Sequence, residues 1–319
     1  MRHRDVVQQL THAARDCTDA RVVRLLQELA LALRFDDDAL IDALALTLDL
    51  AERRRARPPP ELAPARGPPA PLRLASWAVS CDARAECYGA TVRAWLVPWG
   101  ARRARLLDAL GALDADLLCL QGTSAELARA ACERRGAARW RATFAAARDD
   151  CGCALLWDAE RLEVLSVHEL ALPDGLVQAV LLRHARDGAH LWVCNARLSG
   201  ARALPQLLAT LHASARFAAP AALVLCGELG EERGEEAWWD ACVARHYGDA
   251  FAALGAERGR FTRSGGGQSA NAWVDHVLTH GAARASDARL ELDYGEGALP
   301  SERVPSDHLP LSVSLTCDA

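Results

Sequence analysis

The sequence predicts an α+β protein in which mixed β-sheets are covered by helices. Short apolar segments of strand length are interspersed with segments of helical periodicity, and the two kinds do not alternate strictly along the chain. Strict alternation would instead predict a doubly wound parallel sheet. The length of 319 residues is sufficient for one large domain or two ordinary ones.

The composition excludes two classes of protein. Apolar residues make up 51% of the chain and charged residues 25%, which is typical of a globular protein. No apolar run approaches the roughly 18 residues that a membrane-spanning helix needs, so we expect no membrane partner. The net charge of -5 also excludes a global basic field that would recruit nucleic acid, although a local basic patch remains an open alternative.

The eleven cysteines indicate a reducing compartment. Their number is odd, and several lie in or beside apolar runs, as buried free thiols do: Cys81, Cys119, Cys153, Cys194 and Cys226. We therefore expect an intracellular protein, with the choice between cytoplasm and an organelle such as the mitochondrion left open. Cys151 and Cys153 suggest a metal or redox pair, but no second pair follows at zinc spacing, so this interpretation is not favoured.

Residues 1–56 are predicted to form a small helical segment. Apolar residues recur there at helical spacing, three aspartates at 36–38 mark a helix start, and three arginines at 53–55 mark a helix end. We expect a docking or capping module that holds a protein or ribonucleoprotein assembly. The alternative is a transit peptide, which the acidic residues among the arginines disfavour.

A proline-rich linker over residues 57–71 separates this segment from a large domain over residues 72–319. The large domain opens with a strand at 72–79. The other predicted strands are 117–120, 153–157, 161–165, 177–182, 190–196, 222–226, 272–278 and 309–315, and the predicted helices are 101–113, 124–134, 202–216 and 235–247.

Near the C-terminus, Ser306, Asp307 and His308 precede an alternating strand, so they lie on a loop where a strand begins. Adjacent aspartate and histidine can act as a general acid/base pair, because the carboxylate fixes the imidazole tautomer or raises its basicity. A triplet of this kind is more often an ordinary loop. Its meaning therefore depends on what the other strand ends supply.

Polar residues also end several earlier strands, at Trp77-Ala78, Gln121-Gly122, Asn195-Ala196-Arg197, Gly227-Glu228 and Trp273-Val274-Asp275. In these segments the chain resembles the endonuclease/exonuclease/phosphatase superfamily, and within it the poly(A)-degrading, nocturnin-like deadenylases. The resemblance covers about residues 72–315 and rests on ordered segments at 95–107, 114–121, 150–154 and 305–311. It implies a four-layer α/β sandwich, with two mixed β-sheets packed face to face and helices outside.

The resemblance implies metal-assisted phosphodiester hydrolysis. In that chemistry a carboxylate holds Mg²⁺, an aspartate orients the attacking water, and histidines stabilise the transferring group. Residues matching the family pattern are expected to be vestiges of its catalytic site: Asn195, Asp275, Asp307 and His308, with Glu228 in place of an aspartate.

Other positions depart from the family pattern. Gly122 replaces the metal-binding glutamate and has no side chain with which to ligate, and Ala78 and Gly230 replace asparagines. Losing a single transition-state donor costs roughly 10²–10³ in rate, so little of the family's activity should remain. We expect no cofactor, and Mg²⁺ only if Glu126 or Glu231 supplies a substitute ligand.

Arg197 stands where the family has a histidine. It either binds a phosphate in a cleft that no longer cuts, because arginine holds phosphate bidentately, or it pairs with Glu228 or Asp307 in place of the metal charge. The second alternative is favoured, since neighbouring carboxylates without a metal need a cation.

These substitutions favour a pseudoenzyme, a catalytically inactive homologue of a Mg²⁺-dependent phosphodiesterase or deadenylase. Such a protein would act as a binding or scaffold subunit. RNA as its partner is implied by the resemblance alone. The alternative is a weakly active or altered Mg²⁺-dependent 3′-5′ exoribonuclease. A phosphatase with a small substrate is a third alternative that no residue favours.

Overall fold

A computed structural model of the chain describes residues 71–80, 96, 98–147, 151–199, 203–214, 217, 222–230, 236–255, 261–264, 271–291 and 299–317. The chain divides into two units, Met1–Glu61 and Leu62–Ala319, and every described residue belongs to the second. The predicted helical segment 1–56, all but the last residue of the predicted linker, and Glu231 lie outside the described residues.

The described part of the chain forms two six-stranded sheets. The strands are β1 (Leu72–Ala78), β2 (Leu117–Thr123), β3 (Trp140–Ala146), β4 (Gly152–Asp158), β5 (Leu162–Leu172), β6 (Gly175–His184), β7 (His190–Leu198), β8 (Ala222–Glu228), β9 (Gly248–Asp249), β10 (Asp275–His280), β11 (Ala283–Leu290) and β12 (Leu311–Cys317). The first sheet has the order β11-β12-β1-β2-β4-β3, and the second has the order β5-β6-β7-β8-β10-β9. Each is mixed, because β1 pairs with β2 and β7 with β8 in parallel while the other pairs are antiparallel.

Helices cover the outer faces of the two sheets. The described helices are α1 (Trp99–Ala112), α2 (Ala125–Gly136), α3 (Ala203–Ala213), α4 (Glu236–Val243) and α5 (Ala250–Ala253). One apolar core lies between the sheets, a second packs α1 and α2 on the first sheet, and a third packs α3 and α4 on the second. The predicted four-layer α/β sandwich is confirmed.

Helix α2 begins at the residue that the sequence predicts. The Ser124 hydroxyl accepts a hydrogen bond from the backbone N–H of Leu127 at 3.2 Å, which satisfies one of the unpaired donors of the first turn. Arg134 and Arg135 lie in the last turn, where a cation interacts favourably with the helix dipole. The apolar face, including Leu127 and Ala131, is buried on the first sheet.

The structure adds three strands and one short helix that the sequence analysis did not predict: β3, β9, β11 and α5. β3 and β11 lie at the two edges of the first sheet, where one side of a strand carries polar residues and the apolar signal is weak. The predicted strand 272–278 was placed too early, because β10 begins at Asp275. The last strand likewise begins at Leu311 rather than at residue 309.

The described cysteines are mostly buried thiols. Cys119, Cys153, Cys194 and Cys226 are free and buried, as predicted, while Cys81 lies outside the described residues. Cys151 is disulfide-bonded and Cys153 is not, so the two do not form a pair with each other. Among the described helices, none is long and apolar enough to cross a membrane.

Candidate functional site

Three predicted site residues meet at the ends of neighbouring strands in the second sheet. Arg197 on β7 lies in register with Glu228 on β8, and Glu228 lies in register with Asp275 on β10. Because residues in register across adjacent strands are neighbours, the guanidinium of Arg197 and both carboxylates lie in one row at the ends of these three strands. The sequence separates these residues by more than a full strand and helix each, and the fold brings them together.

His308 approaches this row from the loop before β12. Its Nδ1 donates to Oδ2 of Asp275 at 2.8 Å, and both side chains are almost entirely buried. The indole N–H of Trp77 donates to the carbonyl oxygen of His308 at 2.8 Å, which fixes the loop against β1. The predicted Asp–His chemistry therefore involves Asp275, from a different strand, rather than the sequence neighbour Asp307.

Electrostatics keep His308 protonated at neutral pH. Burial by itself lowers the pKa of His308, but attraction to Asp275 and Asp307, the hydrogen bond that His308 donates to Asp275 and attraction to Glu228 together raise that pKa to about 9. The side chain is therefore an imidazolium at pH 7. It contributes a positive charge to the site and has no free lone pair with which to act as a general base.

Asp307 is held by the neighbouring loop. The Ser80 hydroxyl donates to Oδ1 of Asp307 at 2.5 Å, and Oδ2 lies 4.0 Å from Nε2 of His308. Ser306 donates to the carbonyl oxygen of Ala78 at 2.7 Å and accepts from the backbone N–H of His308. The side chain of Asp307 retains 20% exposure, so this carboxylate faces solvent while the Asp275 carboxylate does not.

A buried arginine fixes the two loops that carry these residues. Arg102, the fourth residue of α1, is fully buried. It donates to the carbonyl oxygens of Ser80 at 3.0 Å and Pro305 at 3.2 Å, and it stacks over the Trp99 ring at 5.4 Å. The sequence predicts a helix that contains Arg102, and the same segment is part of the family resemblance. Its role in joining the loops required the tertiary structure.

The space beside Gly122 contains the guanidinium of Arg197. Gly122 has a φ of +58°, and a Cβ built there would lie 3.5 Å from Nη1 of Arg197 and 3.5 Å from the backbone nitrogen of Ser80. Nε of Arg197 donates to Oε2 of Glu228 at 3.2 Å. The guanidinium thus stands next to Gly122, and it pairs with a carboxylate of the same site.

A second arginine, which the sequence analysis missed, lies on the other side of Glu228. Nη1 of Arg263 is 4.0 Å from Oε1 of Glu228, and Arg263 pairs through its backbone with His308 in an isolated bridge. No strand or motif around Arg263 distinguishes it in the sequence. It reaches the site because the segment 261–264 crosses the loop that bears His308.

Of the two proposed substitute ligands, the structure describes only Glu126, and its side chain pairs away from the site. Glu126 is exposed on α2, where Oε1 accepts from Nη2 of Arg103 on α1 at 3.0 Å. Glu231 lies outside the described residues. Throughout the described segments, no three His, Cys, Asp or Glu side chains form a group able to hold a metal ion. The residues present do not fit Mg²⁺, which needs several oxygen ligands in octahedral geometry.

Asn195 lies apart from the charged group. It is fully buried between the sheets, where its amide donates to the carbonyl oxygens of Leu120 and Ala154 and accepts from Nε2 of Gln121 at 2.7 Å. All of these bonds run from β7 to the opposite sheet. Asn195 therefore stabilises the packing of one sheet on the other. The charged group consists of the other predicted site residues, Arg197, Glu228, Asp275, Asp307 and His308.

The charges of the described site residues balance without a metal. The cations are Arg197, Arg263 and the His308 imidazolium, and the anions are Glu228, Asp275 and Asp307. A group of carboxylates is stable in a partly buried cleft only when cations compensate for it. Here the chain's own side chains supply the compensation.

Comparison with solved structures identifies the architecture. ANGEL2, a 2′,3′-cyclic phosphatase solved with adenosine-2′,3′-vanadate, is 16% identical with a TM-score of 0.64, and the match covers 79% of this chain and 97% of that one. The catalytic domain of human Nocturnin, solved with a sulfate anion, is 21% identical with a TM-score of 0.62 over 79% of this chain and 95% of that one. The fold is that of the endonuclease/exonuclease/phosphatase superfamily.

A bacterial protein of the same superfamily gives a similar match. The endonuclease/exonuclease/phosphatase family protein from Bacteroides thetaiotaomicron is 15% identical with a TM-score of 0.62, over 79% of this chain and 100% of that one. No protein-family model matches the chain. No curated protein matches it in sequence either. The endonuclease/exonuclease/phosphatase fold is therefore shown by the three-dimensional likeness together with the motifs in the sequence.

Proposed function

We propose that the protein is a catalytically inactive homologue of the Mg²⁺-dependent phosphodiesterases with this fold, and that it acts as a binding or scaffold subunit. The observation that carries the proposal is the position of Arg197. Its guanidinium lies beside Gly122, where the family's metal-binding carboxylate is missing, and it bonds to Glu228. A guanidinium in this position takes over the charge of a metal ion but not its chemistry, because it cannot coordinate and activate a water molecule as a metal ion does.

Charge balance supports the same conclusion. A divalent cation entering the site would meet two guanidinium groups and the His308 imidazolium at close range. Like charges a few ångströms apart repel by about 1 kcal/mol in water and by more in a partly buried cleft. Mg²⁺ would therefore gain little from Glu228 and Asp275, whose charges are already compensated.

The scaffold role is proposed from the sequence. Residues 1–56 carry helical periodicity and precede a proline-rich stretch, which is the pattern of a docking module on a linker. We propose that this segment binds a protein or ribonucleoprotein assembly, and that RNA contacts the large domain only as part of it.

Degradation of poly(A) RNA by purified protein at millimolar Mg²⁺ and Mn²⁺ tests the loss of catalysis. We expect no degradation by the natural sequence or by a double variant with Asp307→Ala and His308→Ala. Degradation by the natural sequence that disappears in the double variant would overturn the proposal.

Metal binding provides an independent test. A site that binds Mg²⁺ in the folded state is stabilised by about 2.7 kcal/mol at 100 times its Kd, so its melting temperature rises with Mg²⁺. We expect no such rise for the natural sequence. The matched variant Gly122→Glu with Arg197→His restores two of the family residues, and its melting temperature should rise with Mg²⁺. The starting stability of this variant should be lower by about 1–2 kcal/mol, because glutamate at position 122 has a positive φ.

A weakly active Mg²⁺-dependent 3′-5′ exoribonuclease is the second candidate, and one observation favours it. Oδ1 of Asp275 is buried and has no hydrogen-bond partner within the described residues. An unpaired buried carboxylate oxygen is costly, and it is a position where a cation or an ordered water would be stabilising. A Mg²⁺-dependent melting shift in the natural sequence, lost in Asp275→Asn, would support this candidate over the inactive one.

A further inference from the structure

A second group of reactive side chains lies at the other end of the sandwich, away from the cleft. A cavity of about 10 Å³ opens there between the first residue of β1 and the last residue of β12. Its titratable lining residues are Cys317, His184 and Asp187, and the rest of the lining is apolar: Leu72, Leu162, Leu182, Ala189, Leu191 and Leu315. Cysteine, histidine and aspartate are the residue types that activate a thiol in concert.

The histidine and the aspartate are already oriented as such a pair. Nδ1 of His184 lies 3.0 Å from Oδ1 of Asp187, and the side chains are only 9% and 4% exposed. Asp187 also accepts from the backbone N–H of Ala189 at 2.9 Å, which fixes its carboxylate. The pair uses Nδ1 of His184, and Nε2 has no hydrogen-bond partner in the described structure. The ring, whose side chain is nine-tenths buried, lines the cavity.

Cys317 differs in burial from the other described cysteines that form no disulfide. It is partly exposed, whereas Cys119, Cys132, Cys153, Cys194, Cys226 and Cys242 are buried. Burial raises the pKa of the Cys132 thiol to about 11 and the pKa of the Cys153 and Cys242 thiols to about 12, so these groups carry almost no thiolate at neutral pH. Cys317 is thus the described thiol that combines solvent access with a neighbouring imidazole.

The size of the cavity determines whether a proton can pass between Cys317 and His184 through a water molecule. A volume of about 10 Å³ is roughly the minimum that holds one water molecule. A histidine acts as a general base either in direct contact or through one water. A cation also lies near Cys317 in the sheet, because Arg284 on β11 pairs with Thr316, the residue before Cys317. The guanidinium of Arg284 donates to the carbonyl oxygens of Gly281 and Ala283.

We propose that Cys317 is a modification site that exchanges with small-molecule disulfides, with His184 as its general base and Asp187 as the positioning residue for His184. The Cys317 thiol loses its proton to Nε2 of His184. The thiolate attacks one sulfur of the disulfide, a new S–S bond forms, and the old S–S bond breaks. The departing thiolate takes the proton back from His184. The small-molecule disulfide is itself the oxidant, because its departing sulfur is reduced to a thiol while Cys317 is oxidised.

Labelling kinetics on the unreduced, full-length protein test this site. The probe is dithiodipyridine, a small neutral disulfide, and mass spectrometry follows each cysteine separately between pH 5 and pH 9. We expect Cys317 to react first among the described thiols, with an apparent pKa below the value of about 8.5 for a free cysteine. The variants His184→Gln and Asp187→Asn should each slow labelling of Cys317 at pH 7 by about tenfold, which corresponds to one unit of pKa.

Controls separate local chemistry from loss of structure. Asp249→Asn weakens a comparable buried Asp–His pair elsewhere in the second sheet, and it should leave the labelling rate of Cys317 unchanged. Circular dichroism confirms that each variant is folded, and Asp187→Asn, which preserves side-chain volume, serves if His184→Gln does not fold. Equal Cys317 rates in the natural sequence and both variants, or an apparent pKa of about 8.5 or above, would overturn the proposal.

Discussion

Two buried Asp–His pairs meet on strand β10 and have different roles. Asp275 and His276 are adjacent, so their side chains point to opposite faces of the second sheet. Asp275 pairs with His308 in the cleft at 2.8 Å, and His276 pairs with Asp249 under α4 at 3.2 Å. The residue types are the same on the two faces, so the surroundings must determine what each pair does.

The cleft pair lies among charges. Glu228, Asp307 and Arg197 surround it, and the pKa of His308 is raised to about 9 by its acidic neighbours against the effect of burial. The outer pair lies in an apolar layer instead. The His276 ring packs on Trp238 with centroids 4.6 Å apart, and Asp249 also caps α5 by accepting from the backbone N–H of Ala252 at 2.8 Å. The comparison shows that an Asp–His pair alone does not identify a functional site.

Breaking the cleft pair should have the largest effect on stability. Asp275→Ala leaves the His308 imidazolium buried without its hydrogen-bonded partner, and removing one member of a buried ion pair costs about 3–5 kcal/mol. Urea unfolding at pH 7 measures this loss. A loss of under about 1 kcal/mol would show that His308 is neutral in the folded protein, contrary to its electrostatic surroundings.

The next largest effect is expected in the pH dependence of stability, which should come from the cleft pair. The pKa of His308 is raised in the folded state, so its contribution is fully present below the unfolded value of about 6.5 and is lost as pH rises through about 9. The free energy of unfolding should therefore fall by on the order of 3 kcal/mol across that window. Urea titrations at several pH values measure the slope, and Asp275→Asn should flatten it. A slope that survives this substitution would assign the titration to another group.

A smaller effect is expected on the outer face. Asp249→Asn keeps an oxygen for the α5 cap, since asparagine caps as well as aspartate, but it weakens the bond to His276. We expect a loss of about 1–2 kcal/mol in the free energy of unfolding. A loss as large as that of Asp275→Ala would mean that the outer pair contributes as much to stability as the cleft pair.

The smallest effect is expected for the exposed pair of Glu126 with Arg103. Glu126→Gln should cost at most about 1 kcal/mol, because surface ion pairs are screened by solvent. It should also leave the response of the melting temperature to Mg²⁺ unchanged. A changed Mg²⁺ response would show that Glu126 reaches the site beside Gly122 in solution.

The sequence was most informative where strands are buried on both faces. The apolar runs at 117–120 and 222–226 became the central strands β2 and β8, since residues covered by sheet and helix must be apolar throughout. The edge strands β3 and β11 carry polar residues on their exposed side, so their apolar pattern was too weak to predict. Burial on both faces leaves a signal in the sequence that burial on one face does not.

The site residues also differ in how far the sequence predicts them. Asp275, Asp307 and His308 could be predicted from local motifs, because each stands at a strand end beside recognisable neighbours. Arg263 and the contacts of Arg102 could not, since they depend on where a distant loop crosses the site. The pairing of Arg197 with Glu228 was one of two alternatives in the sequence, and only the register of β7 with β8 distinguishes them.

The position of β12 has a consequence for biosynthesis. The last strand of the chain lies inside the first sheet, between β11 and β1, and Arg102 joins the loop before it to the loop after β1. A ribosome delivers β1 and α1 long before it delivers β12, and contacts between such distant segments form slowly. Until β12 and the loop before it have left the ribosome, β1 has an unpaired edge and the Arg102 guanidinium lacks one of its carbonyl partners. The cleft therefore cannot be completed before β12 pairs with β1, and until then the exposed edge of β1 can pair with another chain.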